Sequence, residues 1–376
     1  MAFITLNTQK LRDNYQYLDR LFNDHNIEWS VVSKLLCGNR LYLEELLKLP
    51  VRQVCDSRIS NLKTIKSIRP DIETVYIKPP AKRSIRSIVT YADTSFNTEF
   101  DTIKRLSEAA KAAGKVHKIV IMIELGELRE GVMREEFIDF YESVFKLPNI
   151  KVAGIGTNLT CMYGILPNHD KLIQLSLYKQ LVEAKFNRKI PYVSGGASVT
   201  IPLIAHRLLP EAVNHFRVGE TLYLGTDVYH NRPFDNMHND VFKLFAEVIE
   251  LNEKPVVPQG EFGYNLNGEK ASFDESLSGE TSQRAIVDVG LLDIEEAHIQ
   301  PRNPDIKIVG ASSDMIVLDL KDNREKVKVG DLIEFHMDYM GVLRVMNSSY
   351  VEKRIEYAAS ENQARLVKQA SFKPMP

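Results

Sequence analysis

The sequence predicts an α/β protein, a (β/α)8 barrel followed by a mostly antiparallel β-domain, and three observations carry that expectation. Short β-branched runs alternate with amphipathic helical stretches up to about residue 235. Those runs are almost continuously apolar, as strands buried on both faces must be. Beyond that point glycine and proline thicken (Pro255, Pro258, Gly260, Gly263, Gly268, Gly279), and alternating strands replace the strand-helix rhythm.

Taken in order, the runs are Ser30–Lys34, Gln53–Asp56, Thr74–Ile77, Thr94–Asn97, Ile119–Glu124, Val152–Thr157, Pro191–Ser194 and His215–Gly219. Between them, residues 41–49, 100–113 and 171–186 place apolar side chains at helical spacing. Eight such units in about 200 residues favour a closed parallel barrel, with a doubly wound open sheet as the alternative. In the later part, residues 284–289, 306–309, 315–320 and 331–336 read as strands. The segment Phe3–Leu6 precedes the barrel pattern and is expected to pair with that later domain. The expected division is 7–232 for the barrel, and 1–6 with 233–376 for the β-domain.

The 376 residues are 44% hydrophobic and 26% charged, with a formal net charge of -2, which suits a soluble two-domain chain with no electrostatic pull toward nucleic acid or a membrane surface. The three cysteines, Cys37, Cys55 and Cys161, form no CxxC pair, so neither a disulfide framework nor a structural zinc site is expected. The opening residues carry no signal-type apolar region, and no window approaches a spanning length of about 18 apolar residues. The expected location is cytoplasmic.

In such a barrel the reactive groups sit at the C-terminal ends of the strands. Those ends supply Lys34, Asp56, Asn97, the segment 124–129, Asn158, the segment 194–198, and Arg217 to Glu220. A lysine closing a buried strand is desolvated, which lowers its pKa and makes its amine nucleophilic toward an aldehyde cofactor. The turn Ser194-Gly195-Gly196-Ala197-Ser198 offers backbone N–H groups and hydroxyls to an anion. One strand later, Arg217-Val218-Gly219-Glu220 offers a second such approach. Late-strand loops are where barrel enzymes commonly bind phosphate.

These motifs resemble those of the alanine racemase-like (fold type III) pyridoxal-phosphate enzymes, and most closely the ornithine racemase branch. Val31-Val32-Ser33-Lys34-Leu35-Leu36-Cys37-Gly38 is similar to the family's cofactor segment, which implies Lys34 as the Schiff-base lysine. The stretch Glu124 to Val132 looks like the motif whose arginine, here Arg129, meets the cofactor's phenolic oxygen. Asn158 stands where the family carries a histidine stacked on the pyridine ring. Ser198 matches the phosphate-binding serine, with Ser194 beside it in the same turn. Arg217 is implied at the pyridine nitrogen, with phosphate contacts from the Gly219 and Glu220 backbone. A guanidinium can only donate, so the ring nitrogen accepts and stays unprotonated, which suits reversible removal of one α-proton. The implied activity is racemisation of an amino acid, ornithine-like, by a cytoplasmic homodimer whose sites are shared between subunits.

Racemisation needs a base on each face of the substrate, and Lys34 serves one. The family's second base is a tyrosine of the β-domain, but the matching stretch here, Val289 to Asp293, has none. Residues 310–314 likewise replace the family's Cys-Met-Asp. The candidates are therefore Tyr339, which is also a candidate cofactor contact, with Asp293, Asp314 and Cys37. A longer, cationic substrate side chain would need a carboxylate partner, and Asp293 or Asp314 could supply it. Cys37 is read first as a packing residue. Glu124 and Glu127 are read as orienting Arg129. Two rivals stay open: a fold type III decarboxylase of basic amino acids, which would need a cysteine after Cys161, and a pyridoxal-phosphate carrier without turnover. Metal-assisted relatives need a late His/Cys pair that this sequence lacks, so no metal is expected.

Overall fold

The computed structural model describes residues 2–264, 268, 270 and 272–358. Lys10–Asn239 forms one compact unit, and the described residues on either side of it form the other.

The chain starts with strand β1 (Phe3–Asn7) and helix α1 (Thr8–Asp24). Helix α1 buries Leu11, Tyr15, Leu18 and Phe22, a spacing that keeps one face apolar. Then come β2 (Glu28–Val32), α2 (Arg40–Leu47), β3 (Gln53–Asp56), α3 (Ile59–Ile68), β4 (Glu73–Tyr76), α4 (Ile85–Tyr91), β5 (Thr94–Asn97) and α5 (Phe100–Ala112). The series continues through β6 (His117–Met122), α6 (Phe137–Phe145), β7 (Ile150–Gly156), α7 (His169–Phe186), β8 (Tyr192–Ser194), β9 (Gly196–Ala197), α8 (Ile201–Ala205), β10 (His215–Val218) and α9 (Glu220–Leu224).

All pairings from β2 through β10 are parallel, in the order β8-β7-β6-β5-β4-β3-β2-β10-β9. The seventh position of the ring, counted from β2, is a strand broken at Gly195. Its first half, β8, pairs with β7, and its second half, β9, pairs with β10 through Phe216↔Gly196. Parallel strands joined by helices bury both faces. Accordingly Val32, Cys55, Val75, Phe96, Val120 and Met122, from five successive strands, pack as one cluster. The closed reading of the strand-helix rhythm holds, and the open doubly wound sheet does not.

The other unit is built on β13 (Phe242–Pro255), after two short pairing segments, β11 (Thr226–Asp227) and β12 (Arg232–Pro233), in the barrel unit. It adds β14 (Thr281–Val287), β15 (Ile299–Pro301), β16 (Lys307–Ala311), β17 (Ile316–Asp319), β18 (Leu332–Met337), α10 (Tyr339–Asn347) and β19 (Glu352–Glu356). The sheet order is β15-β18-β13-β14-β17-β16. Strand β1 pairs antiparallel with β13 (Phe3↔Phe245) and parallel with β19 (Phe3↔Glu352). Along β13, Phe242, Leu244, Ala246 and Val248 are buried on alternate positions, and a bulge after Val248 redirects the strand toward β14.

Closure of the barrel at its broken strand depends on a side chain that is absent. A Cβ on Gly196 would lie 2.2 Å from the Phe216 ring, and Phe216 is fully buried. Neither the ring nor the two flanking pairings can yield easily. Gly196→Ala is therefore expected to destabilise the barrel by about 1–3 kcal/mol, read as a lower midpoint in chemical denaturation.

Candidate active site

The candidate residues of the barrel unit cluster at the strands' C-terminal ends, and neighbouring strands link most of them. Strand β2 stops at Val32. Ser33 is buried, and its Oγ donates to Asp56 Oδ2 at 2.8 Å. Asp56 is fully buried at the end of β3 and also accepts from the Arg58 N–H at 2.9 Å and Asn61 Nδ2 at 3.1 Å. Burial pushes its carboxyl pKa up, against the pull of Ser33 and those other donors.

Lys34 opens a short 3-10 turn, Lys34–Leu36, that ends with Cys37 in the left-handed conformation (φ 49°). Here the structure corrects one expectation. Lys34 does not lie at the end of a buried strand: in the chain alone it is exposed, two residues beyond the end of β2 at Val32. Cys37 is half-buried and caps that turn.

Next to β2 in the ring, β10 carries Arg217, whose side chain is buried among the strands. Its Nη2 donates to the Thr157 carbonyl at 2.7 Å and to the Ser194 carbonyl at 3.5 Å. The guanidinium lies 5.2 Å from the centroid of the Phe96 ring. Among the described residues Arg217 has no salt bridge with a carboxylate, and its buried Nε has no hydrogen-bond partner. Burial draws its pKa down from the usual guanidinium value. Gly219, just after it, lies so close to β2 that a Cβ would come within 3.1 Å of Val32 Cβ. Gly219 precedes α9, whose first residue is the half-buried Glu220.

The serines divide. Ser198 Oγ accepts the Thr221 N–H at 3.2 Å, which leaves its own hydroxyl proton for an acceptor in the site. Ser194 Oγ instead meets His215 Nδ1 at 2.8 Å, while His215 Nε2 meets Ser30 Oγ at 3.0 Å and Gln53 Oε1 at 3.2 Å. Burial, with some help from Arg217, pushes the His215 pKa down to about 3, so the ring is neutral. The Ser194 hydroxyl thus serves a network inside the barrel, and its carbonyl is what reaches Arg217.

On the loop after β6, Arg129 pairs with Glu130 through Nε and, at 2.6 Å, through Nη2. Glu130 Oε1 also accepts from Asn158 Nδ2 at 3.1 Å. Glu124 and Glu127 do other work than orienting Arg129, a second correction. Glu124 Oε1 accepts the N–H groups of Gly126 and, at 3.0 Å, Leu128. Glu127 is fully buried and accepts four backbone N–H groups from the loop after β7: Thr160 at 3.0 Å, Met162, Tyr163 at 3.0 Å and Ile165 at 3.1 Å. Both carboxylates are spent on backbone N–H groups, and Arg129 is paired with Glu130, one residue along. Sequence reasoning missed Glu130, since no periodicity ties a loop residue to its immediate neighbour.

The three other candidates belong to the β-unit. Gly290 packs against the 313–315 turn, with Leu291 and Leu292 N–H groups bonded to the Ser312 and Ser313 carbonyls, both at 2.9 Å. The loops of Asp293 and Asp314 are therefore adjacent. Asp293 is half-buried and accepts from Ser348 Oγ at 2.5 Å, whereas Asp314 is exposed and accepts from Ser313 Oγ at 2.6 Å. Tyr339 is half-buried at the first position of α10, with Asp338 capping that helix through the Gly341 N–H. Ser348, which holds Asp293, caps the other end of α10. At ~1.5 Å per residue, that separates Tyr339 from Asp293 by the length of the helix.

Burial by itself would raise the Glu127 pKa, but the four backbone donors, led by Met162, outweigh it and hold the carboxyl below its ordinary value. The loop's anchorage is then complete above the ordinary glutamate range and is lost as pH falls through the lowered folded-state value. Glu127→Gln, which puts an amide N–H2 among donors, is expected to speed amide exchange of residues 160–165 by roughly tenfold at neutral pH. Exchange rates that match the parent protein would refute the anchoring role.

Residues 6–227 match a family model described as alanine racemase, N-terminal domain. Over 353 residues the chain is 36% identical to an ornithine racemase of Acetoanaerobium sticklandii, covering 94% of this chain and 99% of that one. A lysine racemase of Thermotoga maritima is 31% identical over 354 residues, covering 94% and 98%. Among solved structures, the alanine racemase of Bartonella henselae with covalently bound pyridoxal phosphate has a TM-score of 0.71 at 17% identity, covering 95% of this chain and 99% of that one, a likeness of fold. With its barrel inside the family model and relatives matched from end to end, this chain belongs to the alanine racemase family.

Proposed function

We propose that the protein is a pyridoxal-phosphate-dependent racemase of a basic amino acid such as ornithine or lysine. The observation that carries the reading is Arg217, a buried guanidinium whose Nε has no hydrogen-bond partner and which forms no ion pair among the described residues. A buried donor left unmatched costs about 1–3 kcal/mol, more for a charged group, so the position calls for an acceptor supplied from outside the chain. A pyridine nitrogen is such an acceptor. The reading also draws on the relatives, whose names are ornithine racemase and lysine racemase.

The donor set fits the cofactor. Arg217 would face the ring nitrogen, and Asn158, one residue beyond the carbonyl that holds Arg217, would lie against the ring. The unspent hydroxyl proton of Ser198, with the Gly219 and Glu220 backbone N–H groups, would meet the phosphate. Arg129 would meet the phenolic oxygen, and Lys34 would carry the covalent link. Pyridoxal phosphate, when bound, supplies an electron sink that acidifies the α-proton of an attached amino acid. Because Arg217 can only donate, it would leave the ring nitrogen of a bound cofactor unprotonated and the sink moderate, which would favour proton exchange over loss of the carboxylate.

The Lys34 amine moves the α-proton on one face. On the opposite face the base comes from Asp293, Asp314 or Tyr339 of a second copy's β-unit, in a homodimer with shared sites. Asp293 or Asp314, whichever is not the base, would pair with the distal ammonium of the substrate. Among the described residues no helix is long and apolar enough to cross a membrane, and a cytoplasmic location belongs to the same proposal.

Proton NMR of the protein with pyridoxal phosphate in D2O tests the reading, with L-ornithine, L-lysine, L-arginine and L-alanine offered in turn. Loss of the α-proton signal with matching growth of the D-enantiomer is expected for ornithine or lysine and at least ~100-fold slower for Lys34→Ala. A protein that binds the cofactor and exchanges no amino acid would be a carrier, and the racemase reading would fall.

A further inference from the structure

Glu130 stands between two of the proposed cofactor contacts. Its carboxylate receives Arg129 side-on, through Nε and Nη2, and Oε1 also receives Asn158 Nδ2 at 3.1 Å. The Glu130 side chain is 13% exposed, against 36% for Arg129, so this is a pairing with limited solvent screening. It joins the loop after β6 to the end of β7.

Two consequences follow from that geometry. The side-on pairing fixes the guanidinium plane and occupies one edge of the fork, which leaves the Nη1 edge for a ligand. Asn158 is fixed as well: with Nδ2 turned to Glu130, its Oδ1 faces Cys161 Sγ at 3.9 Å. The charges add a third. Glu130 lowers the electrostatic cost of the charge on Arg129, which it pairs with, and on the buried Arg217. Glu130 thus acts on both arginines.

We infer that Glu130 is a positioning residue of the cofactor site: it orients Arg129 and Asn158 together and cancels the charge of Arg129, so that this arginine presents hydrogen bonds without a net positive field. The inference rests on the cofactor reading given under Proposed function. Deleting the negative charge while keeping the side chain's shape leaves Arg129 as an unbalanced cation. A protonated group on the cofactor is then disfavoured, and the visible absorbance of the bound cofactor titrates at lower pH.

The test is a pH titration of that absorbance in the reconstituted protein and its Glu130→Gln and Glu130→Asp variants, with kcat/KM measured alongside. In Glu130→Gln the midpoint is expected to fall by about one unit and kcat/KM by about tenfold. Glu130→Asp keeps the charge but shortens the reach, so its midpoint stays at the parent value while kcat/KM falls. A Gln variant that binds cofactor with an unmoved midpoint overturns the inference, and so does an Asp variant whose midpoint falls as far as that of Gln. If the Gln variant does not fold, Glu130→Ala takes its place: a midpoint about one unit below the parent's supports the inference, and an unmoved midpoint overturns it. A parent protein that shows no cofactor band at all overturns the cofactor reading itself, a different result from an unmoved midpoint in the variants.

Discussion

A guanidinium inside a barrel has to be held without becoming a carboxylate's partner, and that requirement organises the protein's mouth. Water removal from an ion costs several kcal/mol, and an acid beside Arg217 would be the ordinary remedy. Here the remedy is two carbonyls, of Thr157 and Ser194, and the face of Phe96. Each has its own support. The Thr157 hydroxyl is bonded to the Ile123 carbonyl at 3.1 Å, which holds that residue at the end of β7. The Ser194 carbonyl lies where the ring's seventh strand breaks between β8 and β9, and the break is possible because Gly196 lets the Phe216 ring lie against its backbone. Beneath the arginine, His215 is kept neutral and spends both ring nitrogens on Ser194, Ser30 and Gln53. A second cation there would repel the first. The leftover Nε is the part of the arrangement that the chain itself does not complete.

Around that centre, carboxylates serve mainly as anchors for backbone. Asp56 takes the Arg58 N–H, Glu124 two N–H groups of its own loop, and Glu127 four from the loop after β7. Charge-assisted bonds to N–H groups are stronger than neutral ones, so each acid stiffens a loop that has few apolar contacts. The acids are neutralised locally in the process. Glu130 is put to a different use, pairing with Arg129 and tempering Arg217.

How far the sequence could be read depended on what carries the information. The barrel strands were legible because burial on both faces writes them as apolar runs, and residues 94–97 match β5 without a shift at either end. Strand β13 was passed over: its alternation through Phe242, Leu244, Ala246 and Val248 is blurred by Phe245, which stacks on Phe3 at 5.0 Å, and by the exposed Ile249. Helices α1 and α10 were passed over too, α1 because charged residues separate its buried positions and α10 because it is short and follows a strand. At the site, Lys34, Asn158, Ser198 and Arg217 could be picked out as strand-end polar residues. The partners of Glu127 could not, because they are main-chain N–H groups and any sequence supplies those. Nor could the Ser194–His215 bond, which depends on how two neighbouring strands face the bore.

Strand β1 has a consequence for how the protein is made. It is synthesised before any of the barrel, yet its two sheet neighbours, β13 and β19, are synthesised after the barrel is finished. During translation the barrel can close as soon as β10 has emerged, since all its pairings lie upstream. Meanwhile β1 waits with both hydrogen-bonding edges unfilled, a segment open to chaperones and to pairing with another nascent chain. The β-unit, with its pairing of Phe3 to Glu352, closes late and slowly by the measure of sequence separation. The part of the protein that would supply the opposite-face base is thus the part that matures last.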